Sequence, residues 1–198
     1  MALDELQDLF YDALMRILGF DPDAAYSPNN PPAVRKSWPT EGQPDWGFNQ
    51  DVLFIQPTLV DHDISQPLDE EWESHDADLL RRQFQTRVVR LGLVAYGPNA
   101  VEHLYMIRTA LYNGMKSLTD KKLFVVPGPE SVHFNPELFQ ARWWRRADLA
   151  LTFNWGVEYK SVVKTIEHVP VASISANAEG ASTRVTTQDR FMVNKKNK

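Results

Sequence analysis

The chain has 198 residues, 43% of them hydrophobic, and no cysteine. It can bury one sizeable core, and disulfides, thiolate catalysis and cysteine-based zinc sites are excluded. Its formal charge of −5 argues against a general nucleic-acid binder, because such proteins present a basic stripe that displaces counterions.

The N-terminus is acidic and amphipathic, and no stretch reaches the length of a membrane span, so a soluble protein without an export signal is expected. Leu3, Leu6, Phe10, Ala13, Leu14, Ile17 and Leu18 recur at helical spacing, with Asp4, Glu5, Asp8 and Asp12 on the other face. This predicts an amphipathic helix ending near Gly19. Residues 21–51 contain six prolines and allow only a short edge strand between Ala33 and Trp38. Val52, Leu53, Phe54 and Ile55, bounded by Pro57, fit a strand buried on both faces.

Residues 61–78 hold eight carboxylates (Asp61, Asp63, Asp69, Glu70, Glu71, Glu73, Asp76 and Asp78) and no Lys or Arg. Such a run is a solvated loop or a surface ordered by a partner, with weak helical character expected over residues 68–84. Val89, Leu91, Leu93 and Ala95 then alternate with polar or small residues, giving a strand with one face on the core. Gly97-Pro98 ends it, Pro98 suits the first turn of a helix, and an apolar stripe continues from Val101 to Met115. Leu123 to Val126 begins another strand. Ala147, Leu149, Leu151, Phe153 and Trp155 alternate strictly and predict a half-buried strand whose expected partner covers residues 162–171. No period survives beyond Ala172. The expected organisation is one domain over residues 1–171 and an extended C-terminal arm over 172–198. The expected fold class is α+β, a mostly antiparallel sheet with helices packed on one face and long loops.

Chemistry is harder to place. Asp61-His62-Asp63 and His75-Asp76 with Asp78 are the best metal candidates, but neighbours on an extended chain point in opposite directions, so few could share an ion. No nucleophile elbow, His-Glu-x-x-His or glycine-rich phosphate loop occurs, and His103 beside Glu102 reads as a surface or core-edge histidine. Arg142, Trp143, Trp144, Arg145 and Arg146 form the most unusual segment. One tryptophan can pack in the core with the other covering it while the arginines pair with carboxylates; the set can equally anchor a protein interface, or stack on single-stranded nucleic acid.

Three groups of residues carry a family resemblance: Val34, Arg35 and Pro39 with Gly42, Pro44 and the strand at Val52; the strand into Tyr96-Gly97-Pro98-Asn99-Ala100 with its helix to Leu111; and Asn135-Pro136 through Arg142-Trp143-Trp144-Arg145-Arg146 to Leu149. In these the chain resembles the neck or tail terminator proteins of long-tailed bacteriophages over residues 3–171. The resemblance implies a non-enzymatic virion structural protein, assembled in the host cytoplasm and needing no cofactor. It implies a homo-hexameric ring that caps the last tube ring of a completed tail, stops its growth and faces the head-side connector.

The implied partners are the protein itself, the tail tube protein, the head–tail connector protein and, as a further candidate, a sheath protein, with genomic DNA passing through unbound and no membrane involved. The acidic loop is expected to line part of the lumen and keep DNA from adhering. Arg142, Trp143, Trp144, Arg145, Arg146, Asp69, Glu70, Glu71 and Glu73 are the candidate inter-subunit or partner contacts, and no catalytic or metal site is assigned. A head-side completion or connector protein, and a metal-dependent enzyme built on the His/Asp groups, are the competing readings.

Overall fold

The computed structural model describes residues 3–27, 29–37, 42, 44–60, 62–65, 68–75, 78–164, 171–175 and 184–188. Helix α1 (Leu3–Ile17) buries Leu6, Phe10, Ala13, Leu14 and Met15. Its expected first apolar position, Leu3, is half exposed at 49%, and Met15 takes a place in the core instead. The helix terminates at Gly19, whose φ of +80° favours glycine.

Strand β1 (Val34–Lys36) pairs parallel with β2 (Val52–Val60), matching Val34 to Leu53 and Lys36 to Ile55. β2 runs past the expected stop at Pro57. The Leu53 N–H donates to Ala33 O, so the odd residues of β2 point their backbone groups toward β1, which ends opposite Ile55. The missing N–H of Pro57 therefore faces a side where no ladder bond is needed. On its other side β2 pairs antiparallel with β4 (Asp78–Tyr96), from Val52 with Tyr96 to Val60 with Val88.

Among the described residues, the weak helix expected over residues 68–84 is absent. β3 (Asp69–His75) pairs with the beginning of β4 in a β-structure. Alternation explains the correction: Glu70 and Trp72 share one face of β3, and both meet Arg81. Charge pairs across a hairpin supply what apolar periodicity does not.

After β4, α2 (Ala100–Tyr112) starts at the N-cap Asn99, so Pro98 lies one residue ahead of the cap rather than in the first turn. The helix stops at Tyr112, before Met115, which caps the one-turn helix α3 (Lys116–Thr119). β5 (Leu123–Val126), β6 (His133–Phe134), β7 (Glu137–Phe139) and β8 (Arg142–Trp144) lead to the long β9 (Arg146–Val163). Of the expected partner of β9 at residues 162–171, only residues 162–164 and 171 are described. Val162 and Val163 continue β9 itself, whose neighbours are β4 on one side and β5 and β6 on the other. Residues 165–170 lie outside the described set.

The resulting sheet runs β1-β2-β4-β9-β5, with β3 on β4 and β6 on β9. β2–β4, β5–β9 and β6–β9 are antiparallel. One face carries Val89, Leu91, Leu93, Ala95, Leu149, Leu151 and Phe153, packed with the buried side chains of α1 and α2 and with Leu118 of α3. The protein is α+β, with its helices gathered over one face of a mostly antiparallel sheet. β10 (Val171–Ser175) and β11 (Arg184–Gln188) form a separate antiparallel pair.

The chain groups into two compact units, residues 1–69 with 83–159, and residues 70–82 with 160–198. The first contains α1, α2 and α3, most of the main sheet and the β7–β8 hairpin. The second contains the β3 hairpin around Trp72 and the β10–β11 pair.

Candidate functional site

The face of the sheet away from the helices is closed at one end by aromatic side chains. Phe54 and Tyr96 alternate with the buried positions of β2 and β4, and so project on this far side. The 44–48 loop adds Trp46, whose ring lies edge-on to Phe54 at 5.2 Å and near Tyr96 at 5.7 Å. Trp144 meets Trp46 at 6.2 Å, Phe48 at 5.5 Å and Phe139 at 6.2 Å. Offset and edge-on pairs of this kind add to the energy of simple burial.

Arg35 supports the cluster from below. It is 3% exposed, donates Nε–H to Pro32 O at 3.3 Å and Nη1–H to Pro44 O, and its guanidinium lies 5.7 Å from the Trp46 ring. Burial lowers its pKa from the usual value. The cation thus ties the carbonyls of Pro32 and Pro44 together beneath Trp46.

A polar network borders the cluster. Tyr96 donates to Glu137 Oε2 at 2.8 Å; Arg146 donates to the same oxygen at 3.2 Å and to Asp148 Oδ1 at 2.8 Å; Asn135 donates to Asp148 Oδ2 at 2.9 Å. The Arg146 guanidinium sits 5.9 Å from the Tyr96 ring. Hydrogen bonding and ion pairing with Asp148 hold Arg146 charged well above the normal range, against the cost of burial. Desolvation, followed by the bond to Glu137, pushes the Tyr96 phenol up to about 12.

The folded pKa of Tyr96 lies above the usual 10, so the phenol contributes its full stability below pH 10 and loses it as pH rises through about 12. Tyr96→Phe should remove this alkaline dependence. Urea unfolding of both proteins between pH 9 and about 12 checks it; parallel stability curves over that range would refute the assignment.

These groups surround a cleft of about 490 Å³ lined by Asp45, Trp46, Tyr96, Glu137, Phe139, Gln140 and Trp144. The Nε1–H groups of Trp46 and Trp144 are buried without an acceptor among the described residues. The lining is aromatic with a carboxylate already bound to a phenol and a guanidinium, a chemistry suited to gripping a protein side chain rather than to activating a nucleophile.

The five-residue Arg/Trp segment divides by role. Trp144 is half-buried in the cluster and Arg146 lies in the network, whereas Arg142, Trp143 and Arg145 are exposed, Trp143 to 64%. β8 pairs with β7 through Glu137 with Trp144, Leu138 with Trp143 and Phe139 with Arg142. The two linking residues, Gln140 and Ala141, have φ of 49° and 60°. Positive φ at both positions is the pattern of a type I′ loop, usually reserved for Asn and Gly.

The acidic candidates lie elsewhere, on β3. Glu70 bonds Arg81, which also covers Trp72 at 5.6 Å, and Glu73 bonds Arg82 at 2.8 Å. Asp69 and Glu71 have no ion pair among the described residues. Of the metal candidates, Asp61 and Asp76 lie outside the described residues. His62 uses Nδ1 to accept the Ile64 N–H at 3.3 Å, and among the described residues no three His, Asp or Glu side chains converge.

The sequence reading missed Trp46, Phe48, Phe54, Tyr96, Glu137 and Phe139 as members of one cluster. Only the alternation of Phe54 and Tyr96 against the core positions could have signalled it. No helix among the described residues is long and apolar enough to cross a membrane.

No curated protein matches the chain. A family described as phage neck terminator protein matches residues 4–179, nearly the whole length and including the cluster, the network and both hairpins. The chain therefore belongs to the phage neck terminator family, a family of virion structural proteins.

Proposed function

We propose that this protein caps the completed tail tube as a ring, ends tail polymerisation and joins the tail to the head-side connector. The family match over residues 4–179 carries the reading. The fold supports it: a sheet with helices on one face supplies a rigid wedge, and hairpins bearing exposed Trp72 and Trp143 supply contact surfaces. A closed ring needs heterologous contacts, in which one surface of each subunit meets a different surface of the next.

On this reading the partners are further copies of the chain, six in the closed ring, the tail tube protein and the connector, with a sheath protein where the tail has one. DNA passes through without specific binding. Phage made without the protein should yield tails of uncontrolled length that fail to join heads, and electron microscopy of lysates reads both features. Tails of normal length attached to filled heads would sink the proposal. The description of the family as a neck protein also favours a second reading, a head-side completion protein. Locating the density above or below the head–tail joining plane separates the two.

A further inference from the structure

The cleft bounded by Trp46, Tyr96, Phe139 and Trp144 offers ring surface and carboxylate but few hydrogen-bond donors. The indole N–H groups of Trp46 and Trp144 are buried, and the Tyr96 hydroxyl already donates to Glu137. Of the other lining groups, Gln140 is a neutral amide, while Asp45 and Glu137 are acids. Asp45 is exposed and makes no hydrogen bond or ion pair among the described residues. Glu137 spends Oε2 on Tyr96 and Arg146, which leaves its second oxygen.

Ring faces beside a carboxylate are the chemistry that holds a cationic side chain. Trp46 and Tyr96 already have Arg35 and Arg146 against them, whereas Trp144 and Phe139 have no such cation among the described residues. An anionic occupant is opposed by both acids. A purely apolar one would strip water from Asp45 without supplying a partner. Arg142 shares the hairpin face of Trp144, but its side chain is exposed and lies outside the lining.

The sequence supplies a segment of matching chemistry. Residues 190–198 contain Arg190, Lys195, Lys196 and Lys198 and no acid, with Phe191, Met192 and Val193 beside them. Lys195, Lys196 and Lys198 are the only three lysines of the chain within four residues of one another. The pair Lys121 and Lys122 also precedes an apolar run, but there Leu123 is buried in the core and Lys122 is bonded to Glu158. The ten residues 189–198 follow β11 and lie beyond the family match, which stops at residue 179.

We infer that the cleft is a cation site that receives residues 190–198 of the next copy in the ring, a lysine meeting Asp45 and Glu137 and the apolar trio meeting the rings. The inference rests on ring assembly as proposed above. Cleft and segment are different surfaces of one chain, so the contact is heterologous, as ring closure requires.

A peptide titration tests the chemistry. A labelled peptide of residues 188–198, added to the full-length protein and followed by fluorescence anisotropy, should bind. Asp45→Asn should weaken it about fivefold, the worth of a partly exposed ion pair. A peptide carrying Lys195→Gln, Lys196→Gln and Lys198→Gln should bind about tenfold more weakly or worse. Because Asp45 is exposed and unbonded among the described residues, the Asp45→Asn protein should keep its urea midpoint. No binding, equal binding of the two peptides, or no loss with Asp45→Asn would overturn the cation site.

A crosslink tests the occupant. The chain has no cysteine, so Gln140→Cys and Val193→Cys each place a single thiol. In tails assembled from a mixture of the two single variants, a short bismaleimide should give a dimer that neither variant gives alone. Absence of that dimer, crosslinking of the Gln140→Cys variant to a tube or connector protein, or an intrachain link in dilute protein carrying both changes would overturn the assignment to the next copy. Tail length and head joining in phage lacking the protein report on the terminator reading separately, and the peptide titration needs no ring, so the two proposals can fail independently.

Discussion

Gly97→Ala is expected to lower the stability of the protein by about 2–6 kcal/mol, the sum of backbone strain and overpacking. Gly97 has φ of +113°, outside the left-handed helical well that Asn or Asp can adopt. A Cβ built there falls 2.4 Å from Asp51 Oδ1 and 2.7 Å from both Asp51 Cα and Gln50 O. Two of these three atoms are backbone, so rotation of a side chain cannot relieve the clash.

Asp51 is also held in place. Its carboxylate accepts the Asn99 backbone N–H and the Asn99 Nδ2–H, each at 2.8 Å, and so binds the entry of β2 to the start of α2. The Gly97 N–H donates to Arg145 O at 3.1 Å, which ties the same turn to the β8–β9 junction. An added methyl pushes three connections apart. Urea denaturation measures the loss; a change below about 0.5 kcal/mol would show that the turn relaxes freely.

Phe10→Ala should cost about 3–5 kcal/mol. Phe10 is fully buried, and its ring meets Phe153 edge-on at a centroid distance of 5.0 Å. It packs α1 onto β9, an interior strand of the sheet, and a truncated side chain leaves a cavity that a rigid sheet fills only partly. A double-mutant cycle with Phe153→Ala should return a coupling of about 0.5–1.5 kcal/mol, the contribution of the ring pair beyond area burial. Strict additivity would mean that the two rings are held independently.

These substitutions act on the rigid body, whereas the proposed contacts lie on hairpins. Arg146 marks the boundary. It belongs to the Arg/Trp segment, yet its guanidinium is occupied by Asp148, Glu137 and the Tyr96 ring, so it positions the hairpin rather than meeting a partner. Arg142 and Arg145 of the same segment are exposed.

What the sequence determined by itself was whatever depends on local period and composition. α1 shows its apolar stripe at helical spacing, and β9 shows strict alternation from Ala147 to Trp155, because one buried face imposes a fixed repeat. Tyr96-Gly97-Pro98-Asn99 announces a turn, since few residues tolerate its geometry. Residue placement along these elements also carried the resemblance that the family match later showed.

Tertiary structure decided the rest. The β3 strand has no apolar period because its side chains are ordered by charge partners across the hairpin, Arg81 with Glu70 and Arg82 with Glu73, 11 and 9 residues apart in sequence. The neighbours of β9 are β4 and β5 because pairing is fixed by packing over distance, not by succession along the chain. The aromatic cluster gathers residues 46, 54, 96 and 144 from four separate segments, and no local pattern records that they meet. Local chemistry fixes the direction and faces of each element; only the folded arrangement decides which faces are used up in the core and which are left to meet a partner.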